Sequence, residues 1–186
     1  MSQVLTGQTV VVIGGSSGIG LEIARRVREE GAAVIITARD ADRLHRAGLE
    51  LKGSIAAFDA TDFDRLKRFF DELPAPVDHV LVTCAADRQL SLPQQVAQNA
   101  RSKIRPGGAL LFAACTDDRR AALNLSALMR NLALELAPVR VNLIAVSSAE
   151  RASPADLAAI ALHLMSDTAI TGATSESDGG QQLVDG

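Results

Sequence analysis

Thr9-Val10-Val11-Val12-Ile13-Gly14-Gly15-Ser16-Ser17-Gly18-Ile19-Gly20 is the stretch on which the reading of this chain turns. Its first five residues are all β-branched, an apolar run of strand length. A glycine-rich turn follows at once. Beyond it Leu21, Ala24, Val27 and Arg28 recur at helical spacing to about Glu30, and Gly31 supplies the stop. Strand, Gly14-x-x-x-Gly18-x-Gly20 and helix in direct succession form an anion seat. Glycine allows a tight turn and close backbone approach, and the helix start offers unpaired N–H groups at the positive end of its dipole. The pattern therefore points to the pyrophosphate of a dinucleotide.

The same alternation continues outward. Strands are expected at Ala33 to Thr37, Ser54 to Phe58, Val77 to Thr83, Ala109 to Ala114, Val139 to Val146 and, on a polar sequence, Thr171 to Asp178. Amphipathic helices are expected at Asp42 to Leu51, Asp62 to Leu73, Leu92 to Ile104, Asp117 to Leu136 and Ser153 to Met165. Arg105-Pro106-Gly107-Gly108 reads as a turn into the fifth strand. Short apolar runs alternating with helices make βαβ units, so the fold class is α/β, a Rossmann-type doubly wound parallel sheet of about seven strands in a single domain spanning 1–186.

The end of the second strand bears on cofactor choice. An acid there would bind a ribose 2′-hydroxyl, but Thr37-Ala38-Arg39 stands in its place. A guanidinium without a carboxylate favours a 2′-phosphate, hence NADP(H) over NAD(H), unless Asp40 or Asp42 neutralises it.

Composition removes several alternatives. A formal net charge of −3, with Lys and Arg dispersed, leaves no basic footprint for nucleic acid or an anionic membrane. No apolar stretch approaches the ~20 residues of a membrane helix. Met1 to Gln8 has neither a basic start nor a long apolar run, so a cytoplasmic protein is expected. Cys84 and Cys115 lie far apart without metal-ligand spacing, and His45, His79 and His163 are scattered, so neither a metal site nor a Ser-His-Asp arrangement is expected. The chain has no tyrosine and no tryptophan. Any mechanism that requires a phenol is excluded.

With these residues in place, nearly the whole chain resembles the short-chain dehydrogenase/reductase family. Gly14 to Gly20 looks like that family's cofactor loop, Phe58-Asp59-Ala60-Thr61 resembles its adenine-facing segment, and Ala133-Leu134-Glu135-Leu136-Ala137-Pro138-Val139-Arg140-Val141-Asn142 is similar to its helix end and sixth strand. Ile170-Thr171-Gly172 and Asp178-Gly179-Gly180 resemble its carboxyl-terminal signature. The resemblance implies strand order 3-2-1-4-5-6-7. It also implies that Gly14, Ser16, Ser17, Gly18, Ile19 and Gly20, with Arg39, Asp59, Ala60 and Ala85, hold the nicotinamide dinucleotide.

The departures from the family fall where its chemistry resides. Where the fourth strand would end Asn-Asn-Ala-Gly, the chain reads Thr83-Cys84-Ala85-Ala86, and only 18 residues separate Ala86 from Arg105. Cys115 falls at the position of the family's serine, Thr116 at that of its tyrosine and Arg120 at that of its lysine, with the segment between serine and tyrosine missing. After the sixth strand Val146-Ser147 replaces Pro-Gly, and the substrate loop is reduced to Ser148 to Ala152. Thr116 is expected to cap the long helix, with Asp117 and Asp118 in its first turn. An aliphatic alcohol does not replace a phenol, and a guanidinium does not donate a proton in catalysis. Asp87 and Arg88 read as solvated loop residues. The expectation is an NADP(H)-binding oxidoreductase without the usual proton relay, either degenerate or drawing its proton from water with Arg120 positioning the substrate. The alternative is a non-catalytic oligomeric or sensor module. The apolar residues Ala121, Leu125, Leu128, Leu132 and Leu136 of the long helix suggest a homo-oligomer interface, unless the sheet covers them.

Overall fold

The computed structural model describes residues 3–85, 90–115, 118–146 and 153–177. Seven strands form one parallel sheet: β1 (Thr9–Ile13), β2 (Ala33–Ala38), β3 (Ser54–Ala57), β4 (Val77–Ala85), β5 (Ile104–Cys115), β6 (Arg140–Val146) and β7 (Thr174–Ser177). Their order is β3-β2-β1-β4-β5-β6-β7, as the resemblance implied. The connecting helices are α1 (Gly18–Glu29), α2 (Ala41–Leu51), α3 (Phe63–Glu72), α4 (Ser91–Ala100), α5 (Arg119–Leu136) and α6 (Pro154–Ser166).

Strand alternation explains why the central strands are apolar throughout. Val11 and Ile13 join one core layer with Leu110 and Phe112, beneath Leu66 and Phe70 of α3, Val96 of α4, and Leu125, Met129 and Leu132 of α5. Val10 and Val12 join the other with Leu111, beneath Ile23 and Val27 of α1, Leu44 of α2, and Leu157 and Leu164 of α6. Both faces are covered, so a strand such as β1 has no solvent side.

Several local expectations are corrected. On α1 the core is met by Ile23 as well as Ala24 and Val27, whereas Leu21 is half-buried. Arg28 is exposed and donates to the carbonyls of Leu51 and Ala32. The helix expected to Ile104 ends at Ala100, because Ile104 already pairs with Val77. Arg105 to Gly108 is therefore not a free turn but an irregularity within β5, between the pairs Val77–Ile104 and His79–Ala109. Gly108 is required there, since a Cβ would lie 2.2 Å from the Asp78 carbonyl oxygen. The long helix is capped by Asp118, whose carboxylate accepts from the Arg120 N–H at 2.8 Å, so Asp118 is not a first-turn residue and Thr116 is not the cap. Ser153 occupies the start of α6 without a side-chain capping bond.

The polar β7 forms by backbone anchoring. The side chain of buried Asn142 donates to the Ile170 carbonyl at 3.0 Å and accepts from the Ala173 N–H at 3.0 Å. The Val141 N–H donates to the Thr171 hydroxyl at 3.1 Å. These bonds dock the strand against β6 although its own side chains are only half-buried or exposed.

Candidate nucleotide-binding site

The order β3-β2-β1-β4 reverses direction between β1 and β4, leaving a crevice at the carboxyl ends of those strands. The glycine loop fills the rim of this crevice. Gly14 and Gly15 both donate to the Thr37 carbonyl, at 2.9 and 3.1 Å, tying the loop to the end of β2. From the other side the Thr83 hydroxyl lies 3.2 Å from the Ile13 carbonyl oxygen and 3.3 Å from that of Gly14.

Close packing accounts for three of the glycines without a ligand. Cβ atoms would lie 2.1 Å from Thr83 Oγ1 at Gly14, 2.8 Å from Ile36 Cγ2 at Gly15 and 2.2 Å from the Gly14 carbonyl oxygen at Gly20. Gly18 differs. Its φ is +54° and open space surrounds the position of its absent side chain. What suits an anion is the start of α1 itself. Ser17 is extended and makes no side-chain capping bond, and the first turn contains no acid. By contrast α2, α3 and α5 begin on Asp40, Asp62 and Asp118, each accepting a first-turn N–H. The amides of Gly18, Ile19 and Gly20 thus lack the carboxylate that closes those helix starts. Ser17 and Gly18 are exposed, Ser16 and Ile19 half-buried.

Arg39, just past β2, is exposed and faces Asp59, with 3.9 Å between Nη1 and the carboxylate. Neither Asp40 nor Asp42 neutralises it, since Asp40 pairs with Arg43 at 3.2 Å while capping α2. Asp59 accepts from both the backbone and hydroxyl of Thr61, at 2.9 and 2.7 Å. Those bonds, chiefly, hold its carboxyl below the usual range, with Arg39 adding to the effect. Ala60 is half-buried beside it, and Ala85 ends β4 opposite Cys115 in register. The structure therefore brings the loop, Arg39, Asp59, Ala60 and Ala85 to one rim.

The catalytic candidates are less well gathered. Cys115 ends β5, half-buried between Ala85 and Val146 in register, and packs against the layer under α1, α2 and α6. Arg120 is exposed in the first turn of α5. Thr116, Asp87, Arg88 and the reduced substrate loop lie outside the described residues. Among the described residues no three His, Cys, Asp or Glu side chains cluster as a metal site, and no helix is long and apolar enough to cross a membrane.

Sequence reasoning missed the buried polar residues. Half-buried Thr83 was missed as well, legible only as a hydroxyl in an apolar strand. His79 is one of the buried set, at the opposite rim: Nδ1 accepts from the Ala109 N–H at 3.1 Å, so Nε2 donates to Gln8 at 2.7 Å. Burial, reinforced by the Arg140 charge, pushes its pKa down to about 4. Arg140 itself closes the end of α6 by donating to the carbonyls of Leu164, Met165 and Asp167. Both serve the scaffold, not the crevice.

Comparison with known proteins agrees with this geometry. Residues 8–103 match the short chain dehydrogenase family and residues 76–176 the short chain dehydrogenase-like proteins. The short-chain dehydrogenase/reductase ATR9 of Stachybotrys chlorohalonatus is 25% identical over 249 aligned positions, covering 96% of this chain and 98% of that protein. The NADP-dependent (R)-specific alcohol dehydrogenase of Lentilactobacillus kefiri is 39% identical over 75 residues, 38% of this chain and 30% of that protein. In fold, BdcA in complex with NADPH superimposes with a TM-score of 0.84 at 20% identity, covering 95% of each chain. The MalC reductase/Diels-Alderase of Malbranchea aurantiaca does so with a TM-score of 0.84 at 23% identity, covering 98% of this chain and 100% of that one. Sheet order, glycine loop and both family matches agree: the chain belongs to the short-chain dehydrogenase family.

Proposed function

We propose that this protein binds NADP(H), and that it does so as a cytoplasmic, single-domain family member lacking the usual proton relay. The observation that carries the reading is the uncapped start of α1 at the reversal of strand order, with Arg39 and no acid directly at the end of β2. The amides of Gly18, Ile19 and Gly20 take the pyrophosphate. Arg39 exchanges the weak contact with Asp59 for a 2′-phosphate, which carries more charge and fits a guanidinium fork. Asp59 and the Ala60 backbone face the adenine, and Ala85 lines the path toward the nicotinamide. The NADPH-bound BdcA neighbour and the NADP-dependent alcohol dehydrogenase relative support the choice of cofactor.

The nicotinamide, when bound, supplies or accepts a hydride. The chain must handle the accompanying proton without a phenol, since it contains no tyrosine. Cys115, Thr116 and Arg120 occupy the relay's places but not its chemistry, because Arg120 orients and does not protonate. Hydride transfer would then draw its proton from water. The sheet covers Leu125, Leu132 and Leu136 of the stripe expected at an interface, and it is Leu123 and Leu134, 63% and 81% exposed on α5, that support a homo-oligomer.

The deciding experiment is a thermal melt with NADPH and, separately, NADH. At a hundredfold excess over Kd, NADPH is expected to stabilise the fold by about 2.7 kcal/mol, roughly 5–10 °C for a chain of this size. No shift with either coenzyme at millimolar levels would overturn the assignment and leave the non-catalytic module, a reading favoured by the absence of tyrosine. If NADPH binds, its oxidation against a panel of aldehydes, ketones and quinones separates a water-assisted reductase from a sensor.

A further inference from the structure

The two edges of the sheet are built differently. The β7 edge carries exposed Glu176, a charge of the kind that discourages strand-to-strand association. The β3 edge, Ser54-Ile55-Ala56-Ala57, carries no charge and no proline, and among the described residues no strand lies beside its outer ladder. Ile55 is 43% exposed, and Leu49 of α2, on the same side of the sheet, is 67% exposed. On the other side a groove of about 280 Å³ runs along the edge, lined by Ala56, Phe58, Arg65, Arg68, Phe69 and Glu72. It lies away from the glycine loop.

The α3 wall of that groove has an ordered charge pattern. Arg65, Arg68, Phe69 and Glu72 are three, four and seven apart, so they form one stripe beside the buried Leu66 and Phe70. Phe69 is only half-buried, its ring 5.2 Å from that of Phe58. Arg65 contacts Asp62 at 3.3 Å and Arg68 donates weakly to the Asp64 carbonyl at 3.4 Å, which leaves further guanidinium N–H groups on each.

We propose that β3 pairs with β3 of a second copy of this chain, antiparallel about a two-fold axis normal to the sheet. Such an axis keeps the faces of the sheet aligned and sets the two α3 helices antiparallel on one side of it. The stripe is then self-complementary. Centred between Arg68 and Phe69, the axis places Arg65 against Glu72 of the second copy and Arg68 over the ring of its Phe69, each contact occurring twice. In the strands Ile55 meets its own counterpart and Ser54 meets Ala56, side chains on matching faces, with no like charges opposed. Ile55 and Leu49 are covered at the same junction. A foreign peptide strand would satisfy the ladder, but only a second copy answers both cations and the acid in that order. The pairing does not depend on cofactor binding.

Sedimentation equilibrium tests it, with far-UV circular dichroism confirming that each variant folds. The wild type is expected to associate. Arg65→Glu and Glu72→Arg, both at exposed positions, are each expected to weaken association about tenfold, since each reversal replaces two attractions by two repulsions. The double variant Arg65→Glu/Glu72→Arg restores opposite charges and is expected to recover it. Ile55→Lys is expected to weaken it independently, by charging the edge. A monomeric wild type, failure of the double variant to recover, or association lost with Leu134→Glu but untouched by Arg65→Glu and Ile55→Lys overturns the proposal.

Discussion

Single side chains at the two rims of the sheet carry opposite duties. At the carboxyl rim, the ion pair of Arg39 among the described residues is a 3.9 Å contact to a carboxylate already satisfied by Thr61, so under the proposed function its release to a phosphate costs little. Arg39→Ala is expected to weaken NADPH by about 2 kcal/mol, roughly thirtyfold, and to leave NADH nearly unchanged. Calorimetric titration of both coenzymes checks this, and an equal loss for the two would count against a 2′-phosphate contact. At the opposite rim His79 is neutral and buried. Its folded pKa of about 4 lies below the ordinary 6.5, so the unfolded chain takes up the proton first as pH falls. Stability is therefore full above about pH 6.5 and drains away toward pH 4. Between about pH 7 and about pH 5 the loss is expected to be about 2 kcal/mol. Urea unfolding at the two pH values measures it, and His79→Gln, which can still donate and accept, is expected to flatten the slope.

At the scale of elements, the start of α1 and the loop before it separate packing from binding. Ser17→Asp would cap α1 as Asp40, Asp62 and Asp118 cap their helices. It is expected to raise the stability of the cofactor-free protein by about 1 kcal/mol. The same carboxylate would repel a pyrophosphate and cost on the order of a hundredfold in NADPH affinity. Melting curves with and without NADPH read both effects, and a variant that gains stability yet binds normally would place the phosphate elsewhere. The glycines divide likewise. Gly20→Ala drives a Cβ to 2.2 Å from backbone and is expected to cost more than about 2 kcal/mol, whereas Gly18→Ala meets open space and pays only for its φ of +54°, about 1 kcal/mol. Chemical denaturation of the two variants should rank them in that order.

Across the whole molecule, the buried amide of Asn142 is one of the anchors of the last strand, beside the backbone bonds of Val141, Gly172 and Leu143. Asn142 joins β6 to the segment before β7 through its Ile170 and Ala173 bonds, at a site with no solvent access. Asn142→Ala strands both backbone groups and is expected to cost about 2–3 kcal/mol. Hydrogen exchange at residues 170–177 is expected to accelerate more than exchange in β1. Uniform acceleration across the sheet would instead mean that β7 and the core open together.

The amino-acid order by itself determined the βαβ alternation, the doubly covered sheet and the anion seat, because strand runs, helix periodicity and glycine at a strand–helix junction are local signals. The absence of tyrosine, and with it the loss of the family's phenol, is likewise a matter of sequence alone. Residues distant in the chain had to meet before the rest was decided. Thr83 pins the glycine loop 69 residues away, and Asp59, not Asp40, faces Arg39. The stretch Arg105 to Gly108 is an irregular part of β5 because Ile104 finds Val77. These outcomes follow from register and from which polar group finds a partner once water is excluded. A linear pattern does not encode either before the strands align.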